Sequence, residues 1–398
     1  MKHDLSIQLS ERVQRIKPSA TLSVSAKTRE LQAQGIHIIN LGVGEPDFDT
    51  PEDIKNAAIE AIHQGQTKYT AVEGMLDLRK TIAAKFAKEN QLQYSPKQIL
   101  VSCGGKQSFY NLAQALLNSG DEVIIPAPFW VSYPDMVLLA DGKPVIIWAG
   151  SEQNFKITPI QLEKAITPKT RLFVLNSPSN PTGIAYTRSE LEELGKVLSR
   201  YPDILIATDD MYEHILWRKE PFCNIVNACP DLYKRTIVLH GVSKTYAMTG
   251  WRIGFAAGDE TLIQAMCTIQ GQSTSGPCSM SQWAAKAALE GDQSCIETML
   301  KAYKERHDFL VPALNAIEGF ECKQGDGTFY AFPKVQGLIE RLQLKNDVEL
   351  CEFLLTKARV AVVPGSAFGA EGYIRLSFAT SLDNLQEAVK RLRGALGP

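Results

Sequence analysis

The sequence predicts an α/β protein with a mostly parallel sheet covered by helices, together with a smaller α+β domain. From about residue 98, short apolar runs alternate with helical patterns, as in parallel strands joined by crossover helices. The chain has 398 residues, which is more than one hydrophobic core usually covers. About two domains are therefore expected.

The individual elements follow in chain order from these alternating patterns. Strand-like apolar runs occur at QILVS, DEVIIP, KPVIIWA, RLFVLN, DILIATDD, TIVLHGV and RIGFAAG. Helical patterns lie between them, at SFYNLAQALL, VSYPDMVLLA and SELEELGKVLSR. Long helical patterns then run from about residue 282 to KAYKERHDFLVPALNAI. The smaller domain is completed by FECKQGDGTFYAFP, VAVVPGSAFG and YIRLSFATS.

Composition and charge exclude several classes of function. The formal net charge is −2, which argues against a nucleic-acid-binding surface. The N-terminal segment is polar, and no run approaches the roughly 20 apolar residues that span a bilayer. The eight cysteines are scattered without a CxxC pair, and the six histidines show no metal-ligand spacing. We therefore expect a soluble, cytoplasmic protein with reduced thiols and without a metal site.

Polar and small residues collect directly after the predicted strands. CGGK follows ILVS, PAPFW follows EVII, NSPSNPTG follows LFVL, DDMY follows LIAT, and SK follows VLHGV. Turns are rich in such residues, so each loop alone is weak evidence. The carboxyl ends of parallel strands meet at one edge of a sheet, where ligands bind. Together these loops predict a single site there.

The glycine-containing loops do not complete a nucleotide-binding motif. GGK at 104–106 resembles the end of a P-loop, but Leu100 replaces its first glycine and Gln107 its magnesium-binding hydroxyl residue. In GVGEPDF, Asp47 replaces the third glycine of a dinucleotide fingerprint. A nucleotide ligand is therefore the weaker alternative.

A smaller phosphate ligand fits these loops better. Gly104 and Gly105 stand at a predicted helix N-terminus, where exposed N–H groups attract an anion. Arg252 in GWRIG could supply the counter-charge, and Lys244 offers an amine nearby in the sequence. A held phosphate, a lysine amine and an opposing carboxylate are the requirements of pyridoxal phosphate.

The segment GVSKTYAMTGWRIG resembles the pyridoxal-phosphate attachment signature of class I aminotransferases, and the resemblance covers almost the whole chain. It includes RVQRIKPSAT, LGVGEPDFDTP, TKYTAVEGMLDLR, GGKQ, PFWVSYP, NSPSNPTG, DDMYEH, VPGSAFG and IRLSFATS. The chain is most similar to the bacterial aspartate aminotransferase subgroup, some of whose members act on prephenate. The resemblance implies the type I fold of pyridoxal-phosphate-dependent transferases. It divides the chain into an N-terminal arm with part of the small domain (1–48), a large cofactor-binding domain (49–295) and a C-terminal small domain (296–398).

The resemblance also implies the catalytic residues. Lys244 matches the lysine that forms the Schiff base and then acts as general base. Asp209 matches the carboxylate that pairs with the pyridinium nitrogen. Asp210 is the neighbouring alternative, but the D-x-x-Y spacing to Tyr212 favours Asp209. Tyr212 matches a hydrogen-bonding partner of the cofactor's phenolic oxygen.

Further cofactor ligands follow from the same resemblance. Tyr69 in TKYT matches a residue that reaches the phosphate from a neighbouring subunit, which implies a homodimer with shared sites. Trp130 matches the aromatic residue that stacks on the ring, and Asn180 the second partner of the phenolic oxygen. The remaining expected cofactor ligands surround the phosphate: Gly104, Gly105, Lys106, Ser243 and Arg252.

The substrate pocket is implied by a further set of residues. Arg375 matches the arginine that clamps the substrate α-carboxylate, with Gly44, Trp130 and Asn180 beside it. A dicarboxylic substrate needs a second cation. Lys106 is the candidate for it, with a phosphate ligand or a solvated lysine as its alternatives. Arg12 is a second candidate, because the N-terminal segment of relatives closes over the substrate.

The expected reaction is a ping-pong transfer of the amino group of L-aspartate, or a related amino acid, to 2-oxoglutarate. One alternative is an aminotransferase for prephenate or aromatic substrates, or one of broad specificity. Less favoured is a lyase acting at the β-carbon. A regulator with an aminotransferase-like sensor domain would carry a basic DNA-binding segment before this pattern, which here starts by about residue 10.

Overall fold

This computed structural model of the protein describes residues 7–16, 18 and 20–397. Its strands are β1 (Ile39–Asn40), β2 (Ile99–Ser102), β3 (Glu122–Ala127), β4 (Lys143–Trp148), β5 (Thr170–Asn176), β6 (Leu205–Asp209), β7 (Thr236–Gly241), β8 (Gly254–Ala257), β9 (Tyr330–Ala331), β10 (Val360–Ala361), β11 (Val363–Pro364) and β12 (Ile374–Ser377).

The α-helices are α1 (Glu11–Gln14), α2 (Ala20–Ala33), α3 (Glu52–His63), α4 (Leu76–Lys85), α5 (Gly105–Leu116), α6 (Ser132–Leu139), α7 (Pro159–Ala165), α8 (Arg188–Ser199), α9 (Ile225–Ala228), α10 (Glu260–Gly271), α11 (Ser279–Glu290), α12 (Ser294–Asn315), α13 (Gln336–Arg341), α14 (Asp347–Phe353) and α15 (Leu382–Leu396). A π-helical turn, Phe86–Asn90, continues α4. Among the residues that the structure describes, no helix is long and apolar enough to cross a bilayer.

A seven-stranded sheet in the order β2-β8-β7-β6-β5-β3-β4 forms the centre of the larger unit. The pairs from β7 through β6, β5 and β3 to β4 are parallel. Only β8 runs against its neighbours β2 and β7. The carboxyl ends of β3, β5, β6 and β7 therefore meet at one edge. The predicted α/β class with a mostly parallel sheet is confirmed.

Alternating side chains of the strands are buried on both faces of this sheet. Leu100 packs in one core with helices α5, α6 and α10, whereas its neighbours Ile99 and Val101 pack in another with α3, α4, α8 and α11. Successive residues of a strand point to opposite faces, so a sheet covered on both sides needs continuous apolar runs. That is why the strands read as short, wholly apolar segments in the sequence.

Helix α8 shows how local sequence places one of these covering layers. The Thr187 hydroxyl accepts a hydrogen bond from the Glu190 backbone N–H, and the Glu190 carboxylate accepts one from the Thr187 backbone N–H, which is a capping box. The apolar residues Leu191, Leu194 and Leu198 are all buried, and their spacing puts them on one helix face. This amphipathic face fixes the helix against the sheet.

A separate hydrophobic core belongs to the smaller unit and draws on both ends of the chain. Ile39 and Leu41 pack in it with residues from Met299 to Leu396. β1 pairs in parallel with β10, and β11-β12-β9 form a small antiparallel sheet. This arrangement supports an N-terminal contribution to the smaller domain; the boundaries after residues 48 and 295 stay predictions.

Candidate active site

A cavity of about 380 Å³ lies at the carboxyl edge of the central sheet, against the smaller unit. It brings together most of the residues that the sequence predicted to act in one site. Those lining it are Gly44, Gly105, Lys106, Trp130, Asn180, Asp209, Tyr212, Ser243, Lys244, Arg252 and Arg375.

Lys244 lies in the turn that follows β7, and its Nζ donates a hydrogen bond to the Gly44 carbonyl. Burial and, next in size, the positive charge of Arg375 together lower the pKa of the amine to about 8. A neutral amine is the form that attacks an aldehyde or accepts a proton. The cavity thus holds an amine that is partly neutral near physiological pH.

Asp209 and Asp210 point to opposite sides at the end of β6. The Asp209 carboxylate lines the cavity, accepts a hydrogen bond from the Tyr133 hydroxyl and another from the Met211 backbone at 3.2 Å. Burial raises its pKa, while the hydrogen bond from Tyr133 opposes that rise. A positive partner in the cavity would stabilise its ionised form. This carboxylate suits a pyridinium nitrogen.

Asp210, in contrast, belongs to the protein interior. It is 2 % exposed and accepts hydrogen bonds from the Asn224 side chain and, at 2.7 Å, from the Thr208 hydroxyl. Burial raises its pKa to about 7. Its side chain is therefore engaged in packing β6 against a neighbouring loop, away from the cavity.

Arg375 on β12 is a buried cation with one unsatisfied hydrogen-bond donor. It is 3 % exposed; its guanidinium donates to Asn180 Oδ1 at 3.0 Å and to the Gly42 carbonyl at 2.9 Å. Its Nε finds no acceptor among the described residues. A buried, unpaired donor on a charged group is costly, and a carboxylate would satisfy it. The site fits a carboxylate-bearing substrate.

The start of α5 forms a cradle for an anion. Gly104 has φ +85°, and a Cβ on it would lie 2.1 Å from Nη2 of Arg252, so only glycine fits beside the guanidinium. The guanidinium is held by the carbonyls of Thr249 at 2.8 Å and Cys103 at 3.3 Å. Helix N–H groups, this cation and the nearby Ser243 suit a phosphate group.

Lys106 and Trp130 lie together on the cavity wall. The Lys106 Nζ is 5.3 Å from the Trp130 ring centroid, which is a cation–π distance. Burial lowers the pKa of Lys106, and the nearby Arg252 charge lowers it too, whereas Asp135 opposes both. An anionic group entering the cavity would relieve the repulsion between these cations.

Tyr69 and Arg12 are the two predicted site residues that the single chain places elsewhere. The Tyr69 side chain is 98 % exposed. Arg12 on α1 lies 3.6 Å from Asp141, and neither it nor Tyr69 is among the residues that line the cavity. Their roles stay predictions, since one depends on a second subunit and the other on movement of the N-terminal segment.

Two tyrosines in the site were not predicted from the sequence. Tyr133 contacts Asp209, and its position three residues after Trp130 in PFWVSYP was the available signal. Tyr330 lines the cavity, with its hydroxyl 2.8 Å from that of Tyr212. A Cβ on Gly44 would lie 2.8 Å from the Tyr330 hydroxyl, so the missing side chain of Gly44 leaves room for this ring.

A buried ionic network lies next to the site, between the loop of Tyr212 and β7. The sequence did not predict it. Glu213, next to Tyr212, accepts hydrogen bonds from Lys85 at 2.7 Å and from Asn90 at 2.8 Å. His240 lies 2.9 Å from the same carboxylate through Nε2. Burial lowers the pKa of His240 to about 4, and its Nδ1 accepts the Gly241 N–H, so Nε2 carries the proton and donates. The network ties the loop of Tyr212 to β7.

Comparison with known proteins identifies the family. The profile for "Aminotransferase class I and II" matches residues 36–392. An aspartate/prephenate aminotransferase from Nitrosomonas europaea is 61 % identical, covering 98 % of this chain and 100 % of the relative. One from Cereibacter sphaeroides is 51 % identical, covering 97 % and 98 %.

Solved structures show the same similarity. The crystal structure of the aspartate aminotransferase from Rhizobium meliloti superposes with a TM-score of 0.93 at 44 % identity, covering 98 % of this chain and 99 % of that one. The aspartate aminotransferase from Thermus thermophilus with maleate gives a TM-score of 0.92 at 41 % identity, covering 98 % and 100 %. The predicted family, fold and cofactor are thereby confirmed. The chain belongs to the class I and II aminotransferases and is a pyridoxal-phosphate-dependent enzyme.

Proposed function

We propose that the chain transfers the α-amino group of L-aspartate, or of a closely related amino acid, to 2-oxoglutarate. One observation carries the proposal: the cavity that holds the Lys244 amine also holds buried Arg375, with an unpaired donor, and a second cation, Lys106. Two cations in one pocket suit a substrate with two carboxylates. The names of the relatives as aspartate or aspartate/prephenate aminotransferases support it, as does maleate, a dicarboxylate, with the Thermus thermophilus enzyme.

Each residue of the cavity has a separate role in the proposed reaction. Bound pyridoxal phosphate supplies an electron sink for the substrate α-carbon. Asp209 would stabilise the proton on the pyridine nitrogen, and Tyr212 and Asn180 would donate hydrogen bonds to the phenolic oxygen. Lys244 Nζ would hold the cofactor and would then accept the α-proton of the amino acid.

The remaining residues bind the two ends of the ligands. Arg375 orients the α-carboxylate, while Ser243, Arg252 and the first N–H groups of α5 hold the phosphate. Trp130, on the cavity wall, would cover the cofactor ring. These assignments are supported by the positions of the side chains around one cavity.

Prephenate is the second candidate substrate, and the names of the curated relatives favour it. In that reaction prephenate, which also carries two carboxylates, would accept the amino group. The assay that decides is a panel of amino donors, each combined with 2-oxoglutarate and with prephenate, using purified protein with added pyridoxal phosphate. The proposal requires aspartate and 2-oxoglutarate to be a productive pair; no turnover of that pair would contradict it.

Replacing Lys106 by alanine should lower kcat/KM for aspartate by roughly 10- to 150-fold, because a charge-assisted hydrogen bond contributes about 1.5–3 kcal/mol. For alanine or phenylalanine as donor the value should stay nearly unchanged, since these lack the distal carboxylate. Steady-state kinetics with each donor measure the difference.

Two controls sharpen this measurement. Lys106→Arg keeps the positive charge and should retain part of the preference for aspartate. Lys97→Ala removes an exposed lysine that does not line the cavity, and it should change neither value. An equal fall for every donor in Lys106→Ala would show that Lys106 serves the cofactor, leaving dicarboxylate preference to Arg12 or another residue.

We further propose that the protein is a homodimer in which Tyr69 of each subunit completes the site of the other. The Tyr69 side chain is 98 % exposed in the single chain, although its motif matches a phosphate ligand. Apolar side chains on the same part of the chain are also exposed, among them Ile59, Ile62 and Leu76. Such exposed groups are typical of an interface between subunits.

Mixing Tyr69→Phe and Lys244→Ala subunits should restore part of the activity that each variant lacks, because some hybrid dimers contain one intact site. Subunits are exchanged under mild denaturant, and activity is compared with that of each variant treated alone. Light scattering at assay concentration gives the mass. A protein that is active as a monomer would overturn the proposal.

A cytoplasmic location belongs to the same proposal. It is supported by the eight scattered cysteines, which form no CxxC pair.

A further inference from the structure

Tyr330 contacts two groups of the site, and the proposed reaction so far gives it no part. It begins β9 and is 1 % exposed. Its hydroxyl lies 2.8 Å from the Tyr212 hydroxyl, and its ring centroid lies 4.4 Å from the guanidinium carbon of Arg375. It thus joins the predicted carboxylate ligand to the predicted partner of the cofactor.

A pair of hydroxyls shares one proton between the two oxygens, so one of them must be the donor. If Tyr212 donated to Tyr330, its proton would be engaged in that bond and would not be available to a ligand. If Tyr330 donates, the oxygen of Tyr212 is the acceptor and its own proton is free for a ligand. The direction of this single hydrogen bond decides what Tyr212 presents to the cavity.

The surroundings of the two rings favour Tyr330 as donor. Burial raises the pKa of both phenols; at Tyr330 the next largest influence is the Arg375 cation, which opposes the rise. At Tyr212 burial and then the neighbouring Tyr330 raise the pKa well above its usual range; Arg375 opposes that rise too, whereas the Asp209 carboxylate adds to it. The Arg375 guanidinium lies 4.4 Å from the Tyr330 ring centroid, and the negative Asp209 acts on Tyr212. This arrangement favours the Tyr330 hydroxyl as the donor.

We propose that Tyr330 is a positioning residue whose hydroxyl donates to Tyr212 and thereby directs the Tyr212 proton into the cavity, toward the phenolic oxygen of pyridoxal phosphate. The inference rests on the proposed role of Tyr212. The Tyr330 ring contacts Arg375 and packs edge-on against the Tyr212 ring, while the hydroxyl adds the hydrogen bond to Tyr212. Removing only the hydroxyl therefore separates the proposed function from packing.

The experiment uses the holoenzyme and reads the absorbance of the cofactor joined to Lys244 as pH is raised. A hydrogen-bond donor to the phenolic oxygen stabilises the negative charge of that oxygen. It thereby favours loss of the proton from the nitrogen that joins the cofactor to Lys244, which is the titration that the absorbance follows. Tyr330→Phe keeps the ring and removes the hydroxyl, so the midpoint of the titration should move to higher pH. The proton concentration at the midpoint should fall by about 2- to 10-fold, the effect of one typical hydrogen bond.

Two further variants separate positioning from packing. Tyr212→Phe should move the midpoint at least as far in the same direction, and Tyr212→Phe/Tyr330→Phe should move it no further than Tyr212→Phe alone. Tyr303→Phe is the matched control, because Tyr303 is a buried phenol of the same core that does not line the cavity. It should leave the midpoint unchanged.

Each other result contradicts a particular step. A shift in Tyr212→Phe without one in Tyr330→Phe would overturn this inference and leave the proposed function intact. No shift in either would show that Tyr212 does not bind the phenolic oxygen and would overturn the inference together with that proposed role of Tyr212; the proposed transamination, which rests on Lys244, Arg375 and Lys106, would stand. Additive shifts in the double variant would show that Tyr330 acts independently of Tyr212, which also overturns the inference.

An isosteric replacement tests the same direction without removing the hydroxyl. 3-Fluorotyrosine at position 330 is more acidic than tyrosine and is the stronger donor. It should therefore move the midpoint to lower pH, opposite to Tyr330→Phe. A shift of both variants in the same direction would contradict the proposed donor.

Discussion

Replacing Lys244 by alanine should abolish transamination, with kcat lower by about 10⁴-fold or more, because both the covalent anchor and the general base are lost. In the unmodified protein, borohydride reduction followed by peptide mapping should place the pyridoxyl label on Lys244. Lys106 is the informative comparison, since it also lines the cavity and burial also lowers its pKa. A label on Lys106 would contradict the assignment.

The pKa of Lys244 gives this prediction a pH dependence. Its pKa is lowered to about 8, so below that pH the amine is mainly protonated and does not attack the cofactor aldehyde. The rate at which the cofactor-free protein binds pyridoxal phosphate covalently should therefore rise with pH and level off above about 8. Stopped-flow absorbance measures it.

Asp209→Ala should lower kcat by about 10²- to 10³-fold or more, since the pyridine nitrogen loses the charge that stabilises its proton. Asp210→Ala should leave kcat within a few-fold of the unmodified enzyme. It should instead reduce the free energy of unfolding by about 1–3 kcal/mol, because the donors of Thr208 and Asn224 lose their acceptor.

The two aspartates are a matched pair, which makes this comparison sharp. They are adjacent in the sequence and differ in the side of β6 to which they point. Kinetics at saturating cofactor and denaturant unfolding should separate the two effects. If Asp210→Ala were the more damaging change for kcat, the electron sink would have to be assigned to Asp210.

Much of the fold could be predicted from the sequence because its strands are continuous apolar runs, each followed by a loop of small and polar residues. The alternation predicted the sheet class and placed Lys244 and Asp209 at one edge. The order of the strands was not predictable, since β8 enters between β2 and β7 by contacts that no local pattern encodes. Sequence periodicity indicates that a segment forms a strand, but it does not indicate which strands pair with it in the sheet.

The site residues that were missed share a physical reason. Tyr330, Tyr133 and Glu213 act through partners that are distant in the sequence, and each is an ordinary residue for its element. A tyrosine in a strand or a glutamate after an aromatic residue carries no signal by itself. Only the folded chain shows that Glu213 is paired with Lys85 in a buried network, or that Tyr330 meets Tyr212.

The pairing of Ile39 with Val360 has a consequence for how the protein is made. During synthesis the strands of the central sheet are complete once Ala257 has left the ribosome, whereas the N-terminal strand must wait for a partner near the end of the chain. Long-range pairing of this kind folds slowly and leaves apolar surface exposed in the interval. We expect nascent chains halted before residue 360 to hold a protease-resistant central sheet while Ile39 and Leu41 remain open to cleavage and to chaperones.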